Sequence, residues 1–579
     1  MDGKKSAPTL SLCMIVKNEE KFLGQCLESV KDVVDEMIIV DTGSEDKTIQ
    51  IAESYGACVY HHPWQGSFSE ARNYALQFAT CDWILQMDAD EQLESEDIPI
   101  LKEVIKRTVY NAVYVALLND SPEGWTKHYF QRIYKRGKAR YEGIVHNQLI
   151  YEGADVTTEI RIYHWGYNLS NAGMQAKFER SGELLRKQIE EDGTNPFAHQ
   201  NYVRILRASL KFDEAVKEGL YALRICKDRM TEIHYQMIAY DTAYSMLNSN
   251  RVDDSIQLCL EVLAKHPNNM DMLYTYASAL LTKKQYEDAI FIYKELLALQ
   301  AEEAKNPKHT RLIVDTINFD HRVWGNLSEC YYHVGNLAES EIAIQNAIQI
   351  KPNMYVYKIA YAWLMAKTSR IQEARKVIDA CEQLEGLDSV YYEKLSALFK
   401  NFPSLGDPLD VYEKAVNRFP DSDEIHNMYG YAVLGTDPTL AEKELVRAIQ
   451  LNPDHVGARF GLIKLYMHSR KKEKLEPQIL YFRDKLDKHP LQKEVGKYCL
   501  NEKYYQWAID LLSNYLACEP ENTEILSDIS TAYAKLGQYD AALFGYRQAL
   551  LRTPNDTKII QNIELVHKLN KIKKNEEMV

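Results

Sequence analysis

From Asn195 onward the sequence repeats itself about every 34 residues, a period that marks paired helices stacked into an array. A single helix hairpin cannot bury its own apolar face, so each unit leans on the next and the stretch can fold only as an all-α solenoid. The clearest unit runs from Thr523 to Asn555, with Leu526, Ile529, Tyr533, Tyr539, Ala542, Tyr546 and Ala549 at packing positions, Gly537 at the turn and Pro554 at the stop. Trp324, Leu327, Tyr331, Gly335, Leu337, Ser340, Ile344, Ala347 and Pro352 repeat the same phase. Ala215, Ala289 and Ala448 take the small-residue position where two helices approach closely. About nine units fit, and the segment Gln300–Asp320 breaks the period in a way that lengthens one helix pair. The tyrosines of the array fall at packing positions and read as core.

The remaining N-terminal part has a different texture. The apolar runs 11–16, 37–40 and 58–62, and the run that opens at Trp83, alternate with helical periodicity over Lys21–Val33, Asp46–Tyr55, Ser67–Ala79 and Ile98–Val109. Such alternation predicts an α/β domain with a mostly parallel sheet and helices on both faces. The runs 112–118, 128–135, 143–150 and 159–167 then follow as strands with no helix between them, which predicts an antiparallel extension forming the site wall. The expected organisation is an α/β domain over 1–168, a helical linker over 169–194 and the array over 195–579.

Each early strand ends abruptly on polar residues: Lys17-Asn18-Glu19-Glu20 after the first, Asp41 after the second, and Asp88 and Asp90 after the run Trp83 to Met87. The carboxyl ends of parallel strands are where such sheets hold ligands. Two carboxylates separated by one residue suit a divalent metal on a diphosphate, or else solvate a strand end before the helix near Ile98. Thr42, Ser44, Asp46 and Thr48 read more simply as a turn and helix cap. His146 and His164 sit late in this half, each at a strand end, and imidazole titrates near working pH. Trp64, Trp125 and Trp165 read as packing residues that could also stack on sugar faces.

The segments IVKNEE, IIVDTGSEDKT, EARNYAL and LQMDADE, in that order, closely resemble the family-two glycosyltransferases of GT-A (Rossmann-like) fold, and the array resembles tetratricopeptide repeats. The layout is similar to bacterial enzymes that glycosylate flagellin or bacteriocin peptides. The resemblance implies a nucleotide sugar donor, UDP-linked, and Mg2+ or Mn2+ held by Asp90, with Asp88 as a second ligand or on the ribose. It implies that Asp41 contacts base or ribose, that Asn18 and Glu19 line the same pocket, and that Arg72 contacts base or diphosphate. Either His146 or His164 could complete the metal coordination, contact the diphosphate or take the acceptor proton. Many inverting members of the fold use a carboxylate as base, yet Asn147 follows His146 and offers none, so His146 and Glu142 are both candidates. The implied reaction is inverting transfer to a protein or peptide acceptor held by the repeats. A glycan or lipid-linked acceptor, and an inactive scaffold, are the competing readings.

A formal charge of −14 argues against nucleic-acid partners and anionic membranes, which need basic footprints. No apolar run approaches the roughly 20 residues of a membrane span, and no basic leader with a cleavage site is recognisable, so no membrane insertion is expected. Ten scattered cysteines without a Cys-x-x-Cys pair, several within apolar patterns as at Cys13, Cys26 and Cys330, predict buried thiols and a cytoplasmic protein. An array of this kind can also serve assembly into a homo-oligomer.

Overall fold

The structure, a computed structural model, describes residues 7–120, 125–145, 148–165, 171–305, 312–484 and 489–576. An eight-stranded sheet lies at its N-terminal end, in the order β3-β2-β1-β4-β7-β6-β10-β5. β1 (Leu10–Val16), β2 (Glu36–Asp41), β3 (Cys58–His61) and β4 (Trp83–Gln86) are parallel. Their side chains alternate between two covered faces. Leu10, Leu12, Met14 and Val16 join Leu23, Leu27 and Val30 of α1 (Leu23–Val30), Ala52 of α2 (Thr48–Ser54), and Leu101 and Val104 of α4 (Ile98–Ile105). Cys13, Ile38, Val40 and Ile84 pack on the other side with Ala75 of α3 (Phe68–Leu76). Truncating one of these fully buried residues, as in Leu12→Ala, costs about 2–5 kcal/mol.

β7 (Thr126–Lys135) is antiparallel to both β4 and β6 (Tyr110–Asn119), as the extension predicts. The next pair departs from expectation, because β10 (Ala154–His164) runs parallel to β6. The chain returns through β7 and a separate ribbon of β8 (Ala139–Glu142) and β9 (Gln148–Tyr151), so β10 can enter in the direction of β6. The carboxyl ends of β1, β2, β4, β6 and β10 therefore share one edge. β5 (Glu91–Leu93), antiparallel to β10, closes the sheet with three residues, too few for a sequence signal. Of the strand expected over 143–150, residues 143–145 are not extended, Gly143 standing at φ +92, residues 148–150 belong to β9, and 146–147 lie outside the described residues.

Ten helix pairs follow α5 (Asn171–Glu191), from Pro196 to Arg552, with a closing helix Thr557–Glu576, among the described residues. This is one pair more than the period predicts. The pair Tyr355–Lys367 and Ile371–Cys381 has Ser369 where the strongest units have glycine, and the pair Ser389–Asn401 and Pro408–Arg418 has a longer turn. Side chains start many first helices: Asn195 accepts from the amides of Phe197 and Ala198, and Asn522 from that of Ile525. The chain forms two compact units, residues 1–357 and 358–579. Eight of the ten cysteines are buried and none is paired. No helix among the described residues is long and apolar enough to cross a membrane.

The period-breaking segment is a strap. Helix Tyr286–Lys305 is long, and residues 314–319 fold back onto the first helices of the first and third pairs. Asp315 accepts from Arg204 at 2.7 Å and from Arg207 at 2.6 Å. The Thr316 amide and hydroxyl both donate to Asp271, at 2.9 and 2.7 Å, and Gln300 donates to the Thr316 carbonyl at 2.8 Å. Asn318 reaches the sheet domain, donating to the carbonyl of Trp125 at 2.9 Å.

Candidate active site

Three loops leave the carboxyl ends of β1, β2 and β4 and are stapled to one another. Asn18, left-handed at φ +56, donates its amide to Ser44 Oγ at 2.9 Å and accepts from the amide of Glu45 at 2.8 Å. The Glu19 and Glu20 amides donate to Thr48 and Asp46, and Asp46 also accepts from the Thr48 amide. Thr42, Ser44, Asp46 and Thr48 thus work as turn and helix-start residues. Asp41, 4% exposed, accepts from the amides of Gly43 and Ser44 at 3.1 Å each, and His61 Nδ1 lies 3.5 Å from its carboxylate.

After β4 the two aspartates part. Asp88 Oδ1 accepts from Arg72 at 2.6 Å and from Gln86 Nε2 at 3.0 Å, while Arg132 reaches Oδ2 at 3.4 Å. Burial works to raise the Asp88 carboxyl, but the guanidinium groups of Arg72 and Arg132 outweigh it and hold it well below the usual carboxylate range. Arg132 also binds fully buried Glu91, whose other oxygen accepts from the Asp88 amide at 2.9 Å. Asp90 turns the other way, with Oδ2 3.2 Å from His164 Nε2. His164 stands at the end of β10 and Asn119 at the end of β6; His164 Nδ1 lies 2.8 Å from Asn119 Oδ1, which leaves Nε2 toward Asp90. The parallel direction of β10 is what brings this histidine to the edge where the aspartates emerge. Burial pulls the imidazole down, and the hydrogen bond and charge of Asp90, backed by Glu91 and Asp88, raise it overall. Burial, then the charges of Asp90, Asp88 and Asp46, push Glu19 up to about 7 against the pull of Lys177.

This accumulation of carboxylates favours a cation. Around an ion with oxygen bonds of about 2.1 Å, neighbouring donors stand about 3.0 Å apart, close to the Asp90–His164 separation. Those two side chains fit a divalent ion as a pair. In this arrangement Asp88 is directed to arginine instead, and no group of three or more His, Cys, Asp or Glu side chains among the described residues is arranged to hold a metal.

Glu142 lies apart from this centre. Its carboxylate pairs with Arg140 at 2.6 Å and is 51% exposed. It lines a cleft of about 630 Å3 with Asn73, Tyr141, Gln188 and Asp192. His146 lies outside the described residues. Arg132, Gln86, Glu91 and Asn119 enter the site without having been singled out in the sequence. Arg132 lies two residues before Tyr134 in β7 and shares its face, the one Gln86 takes in β4, beside a register shift between Val113 and Tyr114.

Residues 11–164 match the glycosyl transferase family 2 family, and residues 240–304, 321–354 and 523–556 match tetratricopeptide repeat families. The SPbeta prophage-derived glycosyltransferase SunS of Bacillus subtilis is 26% identical over 293 residues, which are 49% of this chain and 69% of that protein. A TPR repeat-containing protein of Synechococcus elongatus is 56% identical over 84 residues, 14% of this chain and 21% of its own length, so the chain spans about a fifth of that relative. Among solved structures, glucosyl-3-phosphoglycerate synthase from Mycobacterium tuberculosis in complex with Mn2+ and UDP-glucose aligns at 23% identity over 19% of this chain and 44% of that one, with a TM-score of 0.18. The chain therefore carries a glycosyltransferase family 2 domain at its N-terminus, followed by tetratricopeptide repeats.

Proposed function

We propose that this protein transfers a sugar from a UDP-linked donor to a polypeptide engaged by its repeats. The observation that carries the reading is the convergence of Asp41, Arg72, Asp88, Asp90 and His164 on one edge of a family 2 sheet. Asp41, already ordered by two amides, offers a carboxylate to base or ribose. Arg72 would exchange Asp88 for a diphosphate oxygen, the kind of bidentate partner a guanidinium prefers. Asp90 and His164 would hold Mg2+ or Mn2+, which supplies positive charge to the departing diphosphate. Transfer by single displacement then leaves the acceptor proton to a base. Glu142 would need to leave Arg140 to serve, and His146 is the other candidate. The repeats, whose class commonly grips extended chains, supply the acceptor-docking element.

The test is mass spectrometry of candidate polypeptides incubated with a panel of nucleotide sugars. Asp90→Ala should lower transfer at least about 100-fold, on the scale of other electrostatic deletions at reacting centres, and a chelator should do the same. Near-normal turnover in a folded Asp90→Ala chain would remove the metal role. Transfer to a glycan or lipid-linked sugar with no polypeptide modified would favour an assembly role for the repeats.

A further inference from the structure

A second cavity, about 410 Å3, opens beside the β10–β5 edge and shares no lining residue with the centre just described. In the ladder Tyr163 stands opposite Gln92 and His164 opposite Glu91, so the pleat sends Tyr163 and Gln92 to one side and the Asp90-binding histidine to the other. The volume falls within the roughly 300–1,000 Å3 of small-molecule sites. Its walls are aromatic. Trp125 meets Tyr163 at 5.2 Å and 78° and Trp165 at 5.1 Å and 85°, edge to face, and 40% of Trp125 stays exposed. Asn318 ties down the Trp125 backbone, so the corner is built in advance.

The polar lining is mixed in sign of hydrogen bonding. Glu28, Asp32 and Glu94 are acceptors. Glu28 is paired with Lys31 at 2.6 Å, and Glu94 accepts from the amide of Glu96 and from Tyr163 Oη. Gln92 uses its oxygen on Gln25, which leaves its amide group as a donor. Trp165 Nε1, a donor with no acceptor among the described residues, is itself covered, so the ring and not its N–H forms this part of the wall. A bound lysine or arginine would satisfy the carboxylates and sit against the rings, but its side chain carries no acceptor for the Gln92 amide group. A phosphate would answer the Gln92 amide group and be repelled by the carboxylates. A neutral sugar ring answers every group at once: hydroxyls that donate and accept, and an apolar C–H face for an aromatic wall.

We propose that this cleft binds a neutral sugar ring, separately from the nucleotide sugar. The site does not depend on the transfer reading, because it is built from groups that the transfer chemistry leaves unused. Its wall is nonetheless close to that chemistry, since the Trp165 amide donates to the Asp90 carbonyl at 3.0 Å.

The experiment titrates the full chain, without nucleotide, with methyl glycosides of glucose, galactose, mannose and N-acetylglucosamine, followed by tryptophan fluorescence and calorimetry. Parallel titrations use a glycosylated peptide, its unglycosylated form and Nα-acetyl-lysine methylamide. Saturable binding of one or more glycosides is expected, weakened about tenfold by Trp125→Ala and also by Asp32→Asn, a surface change that leaves the fold intact. Binding should persist in Asp90→Ala and resist competition by UDP. Tighter binding of the glycosylated peptide than of the free glycoside would identify the sugar as one carried by an acceptor; equal binding would identify it as free sugar. No glycoside binding, binding indifferent to both cleft variants, displacement by UDP, or selection of the lysine derivative alone would each overturn the proposal. Because no transfer is measured, a failed transfer assay and a failed cleft remain separate results.

Discussion

Arg132 holds together two carboxylates that would otherwise repel each other, so its loss should be felt beyond one contact. Glu91 is fully buried and, among the described residues, has no other cation in hydrogen-bond reach. Arg132→Met should therefore destabilise the protein by about 3–5 kcal/mol, the cost of stranding a buried charge, as read from urea denaturation. Adding Glu91→Gln should recover a good part of that loss; a double variant no more stable than Arg132→Met would mean that the pair is not what Arg132 supports. At this scale the sequence was readable where a strand ends. Asp41, Asp88, Asp90 and His164 follow apolar runs, and the fold sets them on one edge. Arg132 was not readable, because its partners Gln86, Asp88 and Glu91 lie on and just after another strand, and nothing near Arg132 in the chain announces that pairing. The departure of Asp88 from Asp90 was equally hidden, since it follows from Arg72 and Arg132 arriving from other elements.

Eight of the ten helix pairs share a turn with a residue in the left-handed region: Leu210, Asn250, Lys284, Gly335, Ser369, Arg470, Lys503 and Gly537, with φ between +54 and +82. Glycine occupies two of these eight positions, and the units containing those two are the ones most visible in the sequence. The others bear side chains where the backbone disfavours them by about 1–2 kcal/mol, so the turn is dictated by packing of the flanking helices rather than announced by composition. Leu210→Gly removes that strain at a 74% exposed site, against a glycine entropy cost of about 0.5–1 kcal/mol. The expected net gain is about 0.5 kcal/mol, seen as a small rise in Tm, whereas a loss would show that the turn is unstrained. The first pair also contains a pH-sensitive contact, His199 between Glu218 at 2.5 Å and the Gly193 carbonyl at 3.1 Å. Burial lowers this imidazole, and Glu218 and Gly193 raise it overall. A histidine raised on folding stabilises below its unfolded value, about 6.5, and that contribution is lost as pH rises through the folded value. Tm should fall across that upward window, and His199→Gln should flatten the difference; identical pH profiles for the two proteins would refute the assignment.

In the molecule as a whole, the strap at 314–319 joins the sheet domain to the first and third helix pairs within one compact unit. Asp315 is its anchor. The guanidinium groups of Arg204 and Arg207 outweigh burial and hold its carboxyl at about 2. Asp315→Ala leaves both arginines without this partner and should cost about 3 kcal/mol, with faster amide hydrogen exchange over 314–319; unchanged exchange would show that the strap is held by other contacts. The sequence registered this element only as a lapse in period, since nothing local tells a segment that it will bind residues more than a hundred positions earlier. The strap also changes what the array can offer a stranger. Where it lies, a visiting polypeptide faces a rival on a covalent leash, present at an effective concentration on the order of millimolar however dilute the protein. A weakly binding visitor would lose that contest where the strap lies, on the first and third pairs.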